Sequence, residues 1–483
     1  VSREDPAFEV RPEMKKRLAI IGNGMACGRL LDELYRRGAG AAFDVTVFGE
    51  ESHGCYNRIL LGRILGGGTA EEITTKPRDW YADRGVTFRP DTTVAKLDPS
   101  SRTLVTSDGA AVPCDVAVIA TGSAPFIPPL DNLTKPDGCP KAGAFVFRTV
   151  DDCQRIRAYA RPASSAVVMG GGLLGLEAAK SLSDLGLRVT VVHLPEWLMN
   201  LQVDRMGGEF VRKAVEKLGI FVRTGVAATG FTGVEKVEGV VLKTGEVLPA
   251  DLVVMAAGVR PRVDVARASG IAVNRGIVVN DLMATASPGV FALGECAEHN
   301  GVVYGIVPPI WEQCEVLADV LTGANPLARY KGSKLYTKLK VAGVDVASMG
   351  IIDAKQDSDE VLQVLEERRG IYRKLIVRDG KLAGAILVGE GDTAASLARW
   401  FDRGDSLPAN RLDLLCSGDL SPAASDPEIC NCHHVCQSTI VSAIADGHTT
   451  LPSLSAATQA GTGCGSCRGQ LANLILKSAK SAV

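Results

Sequence analysis

The chain predicts an α/β fold: a strand-turn-helix unit that occurs twice, then a smaller α/β segment and a helical end carrying clustered cysteines. Three observations predict it. Glycine-rich turns follow an apolar strand at Leu18–Leu31 and again at Ala166–Gly175; short apolar strands with small-residue ends recur after each turn; and a Cys-x-Cys pair and a Cys-x-x-Cys pair lie near the end of the sequence. At ~150 residues per domain, 483 residues suggest about three domains.

Residues 1–14 are rich in Arg, Glu, Asp and Pro and read as a disordered lead-in. The first strand then turns at Gly22-Asn23-Gly24. Gly22 allows the tight turn, Gly24 lets a pyrophosphate approach the backbone, and the next helix offers free N–H groups to the negative charge. Cys27 holds the third fingerprint position, with Gly28 beside it. The following strand, Asp44–Gly49, ends at Glu50 and Glu51, acids suited to a ribose hydroxyl. Cys55 has no partner at dithiol spacing and reads as a structural thiol, while Arg58 and Arg63 fall in the loop or helix start beyond it. Val116–Gly122 is a buried strand whose small end, Thr121-Gly122, permits close approach to a ligand.

The second turn supplies a complete Gly-x-Gly-x-x-Gly in Gly170, Gly172 and Gly175. Leu187–Val192 is its second strand, and Val253–Pro261, with Gly258, repeats the small-residue end. Two copies of one unit imply two dinucleotides. His193 stands where an acid would favour NADH and an arginine NADPH; Glu196 is near and no arginine follows closely, so NADH is expected. Val290–Ala297 ends in Gly294-Glu295, an acid able to accept from a ribityl hydroxyl, ahead of a helix with Trp311 and Gln313.

A formal net charge of −2, from 53 basic and 55 acidic residues, supplies no field for nucleic acid or an anionic membrane. No uncharged apolar run is long enough to span a bilayer and the first residues lack a secretory apolar core, so a cytoplasmic location is expected. Thirteen cysteines, mostly scattered, suit a reducing compartment. The exception is the end of the chain. After a small α/β stretch read as alternating strands and helices, and a Gly/Asp/Ser/Pro-rich linker, come Cys430, Cys432, Cys464 and Cys467. Four thiolates in two close pairs suit zinc or a 2Fe-2S cluster, and the spacing leaves that choice open.

The glycine turns, Thr121-Gly122 and Gly294-Glu295 together resemble the pyridine-nucleotide-disulfide and ferredoxin reductase families. That resemblance implies FAD held by Gly22, Gly24, Gly28, Glu50, Arg58, Thr121, Gly122, Gly294 and Glu295, and a nicotinamide cofactor on the second glycine motif with His193 and Gly258. Glu295 stands where those families more often have Asp. An acid in the second glycine helix, here Glu177, meets a Lys beside the flavin in those families; this chain has Arg63 there, which allows a salt bridge but makes proton donation doubtful. The stretch around the last cysteines resembles the bacterioferritin-associated ferredoxin (BFD) domain. It implies a 2Fe-2S cluster on Cys430, Cys432, Cys464 and Cys467, with Cys436 a spare thiol and His433 and His434 surface residues.

The implied fold class is α/β: two dinucleotide-binding Rossmann-like domains of the pyridine-nucleotide-disulfide reductase type, a small α/β C-terminal domain, and a helical BFD-like 2Fe-2S domain. The expected boundaries are lead-in 1–14, FAD-binding parts 15–150 and 273–328, NAD-binding domain 151–272, small domain 329–405, linker 406–427 and 2Fe-2S domain 428–483. The motifs Gly-Asn-Gly-Met-Ala, Tyr-Asn-Arg-Ile-Leu-Leu, Gly-Glu-Cys-Ala-Glu-His and Thr-Lys-Leu-Lys-Val resemble assimilatory nitrate reductase electron-transfer subunits and the N-terminal part of NADH-dependent nitrite reductase large subunits. A flavin can join a two-electron hydride donor to a one-electron cluster, so the implied order is NADH to FAD to 2Fe-2S to an outside acceptor. With sixteen residues after Cys467, no sirohaem region is expected, which favours a molybdenum-containing nitrate reductase catalytic subunit as partner. Alternatives are a stand-alone NAD(P)H ferredoxin- or rubredoxin-type reductase, the electron-input subunit of a nitrite reductase, and a non-enzymatic iron-sulfur sensor.

Overall fold

In the first unit, a parallel sheet runs in the order Val290–Ala292, Val116–Ile119, Lys16–Ile21, Phe43–Phe48, Thr87–Arg89. In the second, the order is Ala144–Val146, Leu252–Met255, Ser165–Met169, Arg188–His193, Phe221–Thr224, again parallel. The computed structural model describes residues 15–481 except 342, 390–392, 417–425, 427, 431, 464 and 466. The expected lead-in 1–14, part of the expected linker and Cys464 lie outside the described residues.

Each central strand is apolar because helices cover both faces: Leu18–Ile21 and every residue of Ser165–Met169 are buried. Each turns on a glycine for the same steric reason. Gly22 has φ +111°, and a Cβ there would sit 2.3 Å from the Ala120 carbonyl oxygen; Gly170 has φ +127° and the same atom would be 2.1 Å from the Ala256 oxygen. The helices Met25–Arg36 and Leu173–Asp184 begin after Gly24 and Gly172, where a Cβ would meet open space. The units are stitched by an antiparallel pair, Ser123–Pro125 with Val259–Pro261.

The small domain departs from the expected alternation. It is one antiparallel sheet, ordered Tyr336–Val341, Val344–Gly350, Lys381–Val388, Ile371–Arg378, Glu360–Glu366, with the helix Ala394–Arg403 following it. The tight turn at Asp379-Gly380, both at positive φ, makes a hairpin where a crossover helix would otherwise be needed. This sheet is fastened to the second unit through Asp204, which caps the helix Arg205–Glu216 and accepts from Tyr372 Oη at 2.7 Å and Lys374 Nζ at 2.7 Å.

The terminal module holds a strand pair, Glu428–Cys430 with Val435–Cys436, and the helices Gln437–Ala445, Leu451–Thr458 and Arg468–Ser481. The linker does not leave it a detached fold. Ile440, Leu454 and Leu471 belong to the same apolar core as Leu30, Ile310 and Trp311 of the first unit, because a module of three short helices has too little interior of its own. Among the described residues, no helix is long and apolar enough to cross a membrane.

Candidate functional site

Four segments of the chain meet around one cavity of about 660 Å³. The first unit lines it with Gly22, Gly24, Thr121, Arg148 and Glu295, and the second with Leu173 and Glu177. Thr337 and Lys338 enter from the small domain and Cys432 from the terminal module. The apolar wall includes Ile310 and Trp311.

Most of the sequence-derived candidates in the first unit converge here. Gly22 and Gly24 form the turn; Thr121 donates from Oγ1 to the Arg262 carbonyl at 2.7 Å, and Gly122 follows at φ +67°. Glu295 accepts from Ser123 Oγ at 2.6 Å and from Arg148 Nη2 at 2.5 Å, so its carboxylate is held at the cavity wall. Arg58 pairs with Glu51, donates to the Arg148 carbonyl at 3.1 Å and lies over the Tyr56 ring. Glu50 is paired with Arg262, a partner supplied from more than two hundred residues away. Gly294, at φ +82°, is set behind the wall and donates its N–H to Gln313 at 2.9 Å. Gly28 has a packing role: a Cβ there would lie 2.6 Å from Cys55 Sγ. Cys55 is itself buried, and its thiol, pushed up by burial, donates to the Gly24 carbonyl at 3.4 Å.

The cavity fits an aromatic dinucleotide. The Trp311 indole N–H and Arg148 Nε are buried with no hydrogen-bond partner among the described residues, and both residues line the space. A guest bearing carbonyl and phosphate oxygens would satisfy them, and the open space at Gly24 admits its pyrophosphate.

One expectation is corrected. Arg63 does not meet Glu177: it is exposed, and its charged neighbour is Arg468 of the terminal module, whose guanidinium is lowered by burial first and by Arg63 second. Among the described residues no cation pairs with Glu177, and burial pushes its carboxyl up to about 7. His193 has both ring nitrogens engaged within the chain. It is buried, its Nδ1 accepts from Gly171 N at 3.0 Å, and its Nε2 therefore carries the hydrogen toward Asn200 Oδ1 at 3.2 Å. The exposed Glu196 lies beyond it, and Arg205 comes within 3.5 Å of that carboxylate, an arginine the linear sequence had placed too far along to count. Gly172 opens onto free space at the helix start, Gly175 packs against the Gly170 backbone, and Gly258 has φ +112°.

In the terminal module, Cys430, Cys432 and Cys467 are 2%, 5% and 3% exposed. Gly463 is pressed against one of them, since a Cβ there would lie 2.8 Å from Cys432 Cβ. Cys430 closes the strand Glu428–Cys430, and buried soft thiols are the donor type an iron-sulfur cluster takes, although among the described residues, which leave out Cys464, no three such side chains form a metal-holding group. Cys436 is half-exposed on the strand opposite Glu428. His434 is exposed beside Glu428, as expected of a surface residue. His433 is not. Arg29 Nη1 donates to its Nδ1 at 2.8 Å, its Nε2 meets Thr462 Oγ1 at 3.0 Å, and burial, with Arg29 adding to it, holds its pKa down at about 4.

Sequence reasoning missed Arg148, Lys338 and Asn57. The Thr-Lys-Leu-Lys-Val motif of the small domain signals no chemistry by itself, yet its Thr337 and Lys338 line the cavity. That motif was visible as a string and silent as to place.

Residues 16–315 match the pyridine nucleotide-disulphide oxidoreductase model, 336–404 the rubredoxin NAD+ reductase C-terminal domain, and 428–477 the BFD-like [2Fe-2S] binding domain. The chain is 38% identical to the nitrite reductase [NAD(P)H] of Bacillus subtilis (strain 168) over 94% of its own length and 56% of that protein. It is 36% identical to the assimilatory nitrate reductase electron transfer subunit of the same organism, over 95% of its length and 59% of that protein. The chain thus spans a little over half of each relative, and where it ends does not separate one from the other. Among solved structures, the ferredoxin reductase for the CYP199A2 system from Rhodopseudomonas palustris shares the fold, with TM-score 0.72 and 24% identity over 84% of this chain and all of that one. With the family model matched over residues 16–315 and the 2Fe-2S domain model over 428–477, the chain is an NAD(P)H-dependent flavoprotein reductase and belongs to the pyridine nucleotide-disulphide oxidoreductase family.

Proposed function

We propose that the protein is the electron-transfer component of a nitrate-assimilating system, taking electrons from NADH and delivering them through its 2Fe-2S domain to a molybdenum-containing catalytic partner. The observation that carries this reading is Cys432, a thiol of the terminal module, on the wall of the cavity that Gly22, Thr121 and Glu177 line. Bound FAD supplies the chemistry that accepts two electrons together and releases them singly. Gly22, Gly24, Glu50, Arg58, Thr121, Gly122, Gly294 and Glu295 would position it, with Gly28 setting the packing behind the turn. Gly170, Gly172 and Gly175 would present the nicotinamide, with Leu173 and Leu174 keeping water from the face where hydride passes. Glu177, near half protonation at neutral pH, holds a proton at that face. Cys430, Cys432, Cys464 and Cys467 would hold the cluster. The electron transfer subunit of Bacillus subtilis supports the nitrate assignment. The similarity to nitrite reductase supports a second reading, electron input to a nitrite-reducing partner.

Replacing Cys467 by Ser tests the relay. The variant should keep FAD, lose iron, and still reduce an artificial dye with NADH, while failing to support nitrate reduction when mixed with the molybdenum subunit. Undiminished nitrate reduction would mean that electrons leave directly from the flavin. Assays against nitrite with a sirohaem partner separate the second reading. NADH should be preferred to NADPH; with Arg205 beside Glu196, Arg205→Ala should sharpen that preference and Glu196→Lys should weaken it.

A further inference from the structure

Asn57 is 2% exposed, yet it does not line the cavity. Its Nδ2 donates to two successive carbonyls of the cysteine loop, Thr462 at 3.0 Å and Gly463 at 2.6 Å. Its Oδ1 meanwhile accepts from Ile59 N at 3.0 Å, and its own N–H is spent on the Ile73 carbonyl at 2.8 Å. Every polar group of the residue is therefore used. Its neighbours Tyr56, Arg58 and Ile59 all line the cavity, so the turn that presents them is the turn that grips the loop. On the other side, Gly463 is wedged against Cys432, where a side chain would collide with Cys432 Cβ at 2.8 Å. The Asn57 amide thus bridges the flavin-side turn and the loop that abuts Cys432, alongside Leu60 packing at Gly465. Only a primary amide offers two hydrogens from one nitrogen at this reach while leaving an oxygen for the Ile59 cap.

We propose that Asn57 is the positioning residue for internal electron passage: its two amide hydrogens hold the Thr462-Gly463 backbone, and so Cys432, against the flavin cavity. The inference rests on the relay reading given above. In balance, NADH loses a hydride to become NAD+; its two electrons leave singly through the cluster to two oxidised one-electron acceptors, and one proton is released to solvent.

Asn57→Asp keeps the oxygen but sets a carboxylate against two carbonyls, and Asn57→Ala removes both donors without adding charge. In the full chain loaded with FAD and iron, NADH should bleach the flavin of each variant within about twofold of the parent rate. Cluster reduction, followed by freeze-quench electron paramagnetic resonance, should slow by ~tenfold or more. Iron content and the line shape of the reduced cluster should be unchanged. Amide hydrogen exchange across residues 459–463 should quicken in both variants, even in protein stripped of FAD and iron. Asn57→Gln, which retains both donors, should recover more of the rate than Asn57→Ala, and it carries the test if Asn57→Asp fails to fold. Cluster reduction at the parent rate in the Ala variant overturns the proposal. A parent cluster that stays oxidised while NADH bleaches the flavin overturns the relay reading instead, and this inference with it.

Discussion

At the scale of single residues, the site is governed by what burial does to one carboxyl and what sterics do to one turn. Burial raises Glu177 from an ordinary 4.5 to about 7, so the folded chain binds a proton there that the unfolded chain has released above pH 4.5. Its ionisation therefore lowers stability progressively between about pH 4.5 and 7, with no further change above. Glu177→Gln removes that cost: the apoprotein should gain up to ~3 kcal/mol at pH 8 and almost nothing near pH 4.5, read from urea unfolding at the two pH values. The same substitution should flatten the pH dependence of flavin reduction near neutrality. At Gly22, an alanine meets both a disfavoured φ and the Ala120 oxygen, so Gly22→Ala should cost roughly 3 kcal/mol and release FAD, measured by unfolding and by flavin content after gel filtration.

At the scale of elements, the fold was legible wherever a local residue type encodes a local geometry. Gly22 and Gly170 announce their turns because the clash they avoid is with a strand end in the same unit, and the alternation of strand and helix follows. The small domain was harder, since alternating apolar residues in Ile371–Arg378 and Lys381–Val388 fit strands of either direction until the Asp379-Gly380 hairpin is recognised. The candidate site was legible in its parts but not in its pairings. Arg63 was drawn toward Glu177 by analogy of position, whereas its helix turns it outward; Glu50 finds Arg262, and Asn57 finds Thr462, across sequence separations of hundreds of residues that no local pattern records. The buried pair of Asp204 and Lys374 is of the same kind, joining a helix cap in one domain to a strand in another. Removing Asp204 leaves the buried Lys374 ammonium with only the more exposed Asp353 carboxylate at 3.5 Å, so Asp204→Ala should cost about 3 kcal/mol, while the double variant Asp204→Asn with Lys374→Met should recover much of it. Differential scanning calorimetry of the two variants checks this, and the single variant should also loosen Tyr336–Lys338 at the cavity.

At the scale of the whole molecule, the terminal module shares an apolar core with the first unit, which makes truncation a poor way to isolate its role. Cutting the chain after Asp419 would bare Ile310 and Trp311 as well as remove the cysteines, so the shortened protein should aggregate more readily than Cys467→Ser, by light scattering, even where both still reduce dye. The same arrangement constrains how the protein is made. Cys430, Cys432 and Cys467 are only 2–5% exposed, which leaves an iron-sulfur donor little access once the module has settled. Cluster delivery would then either precede docking or wait for a transient opening, and the speed at which cluster-free protein accepts iron becomes a clock for how often that interface opens.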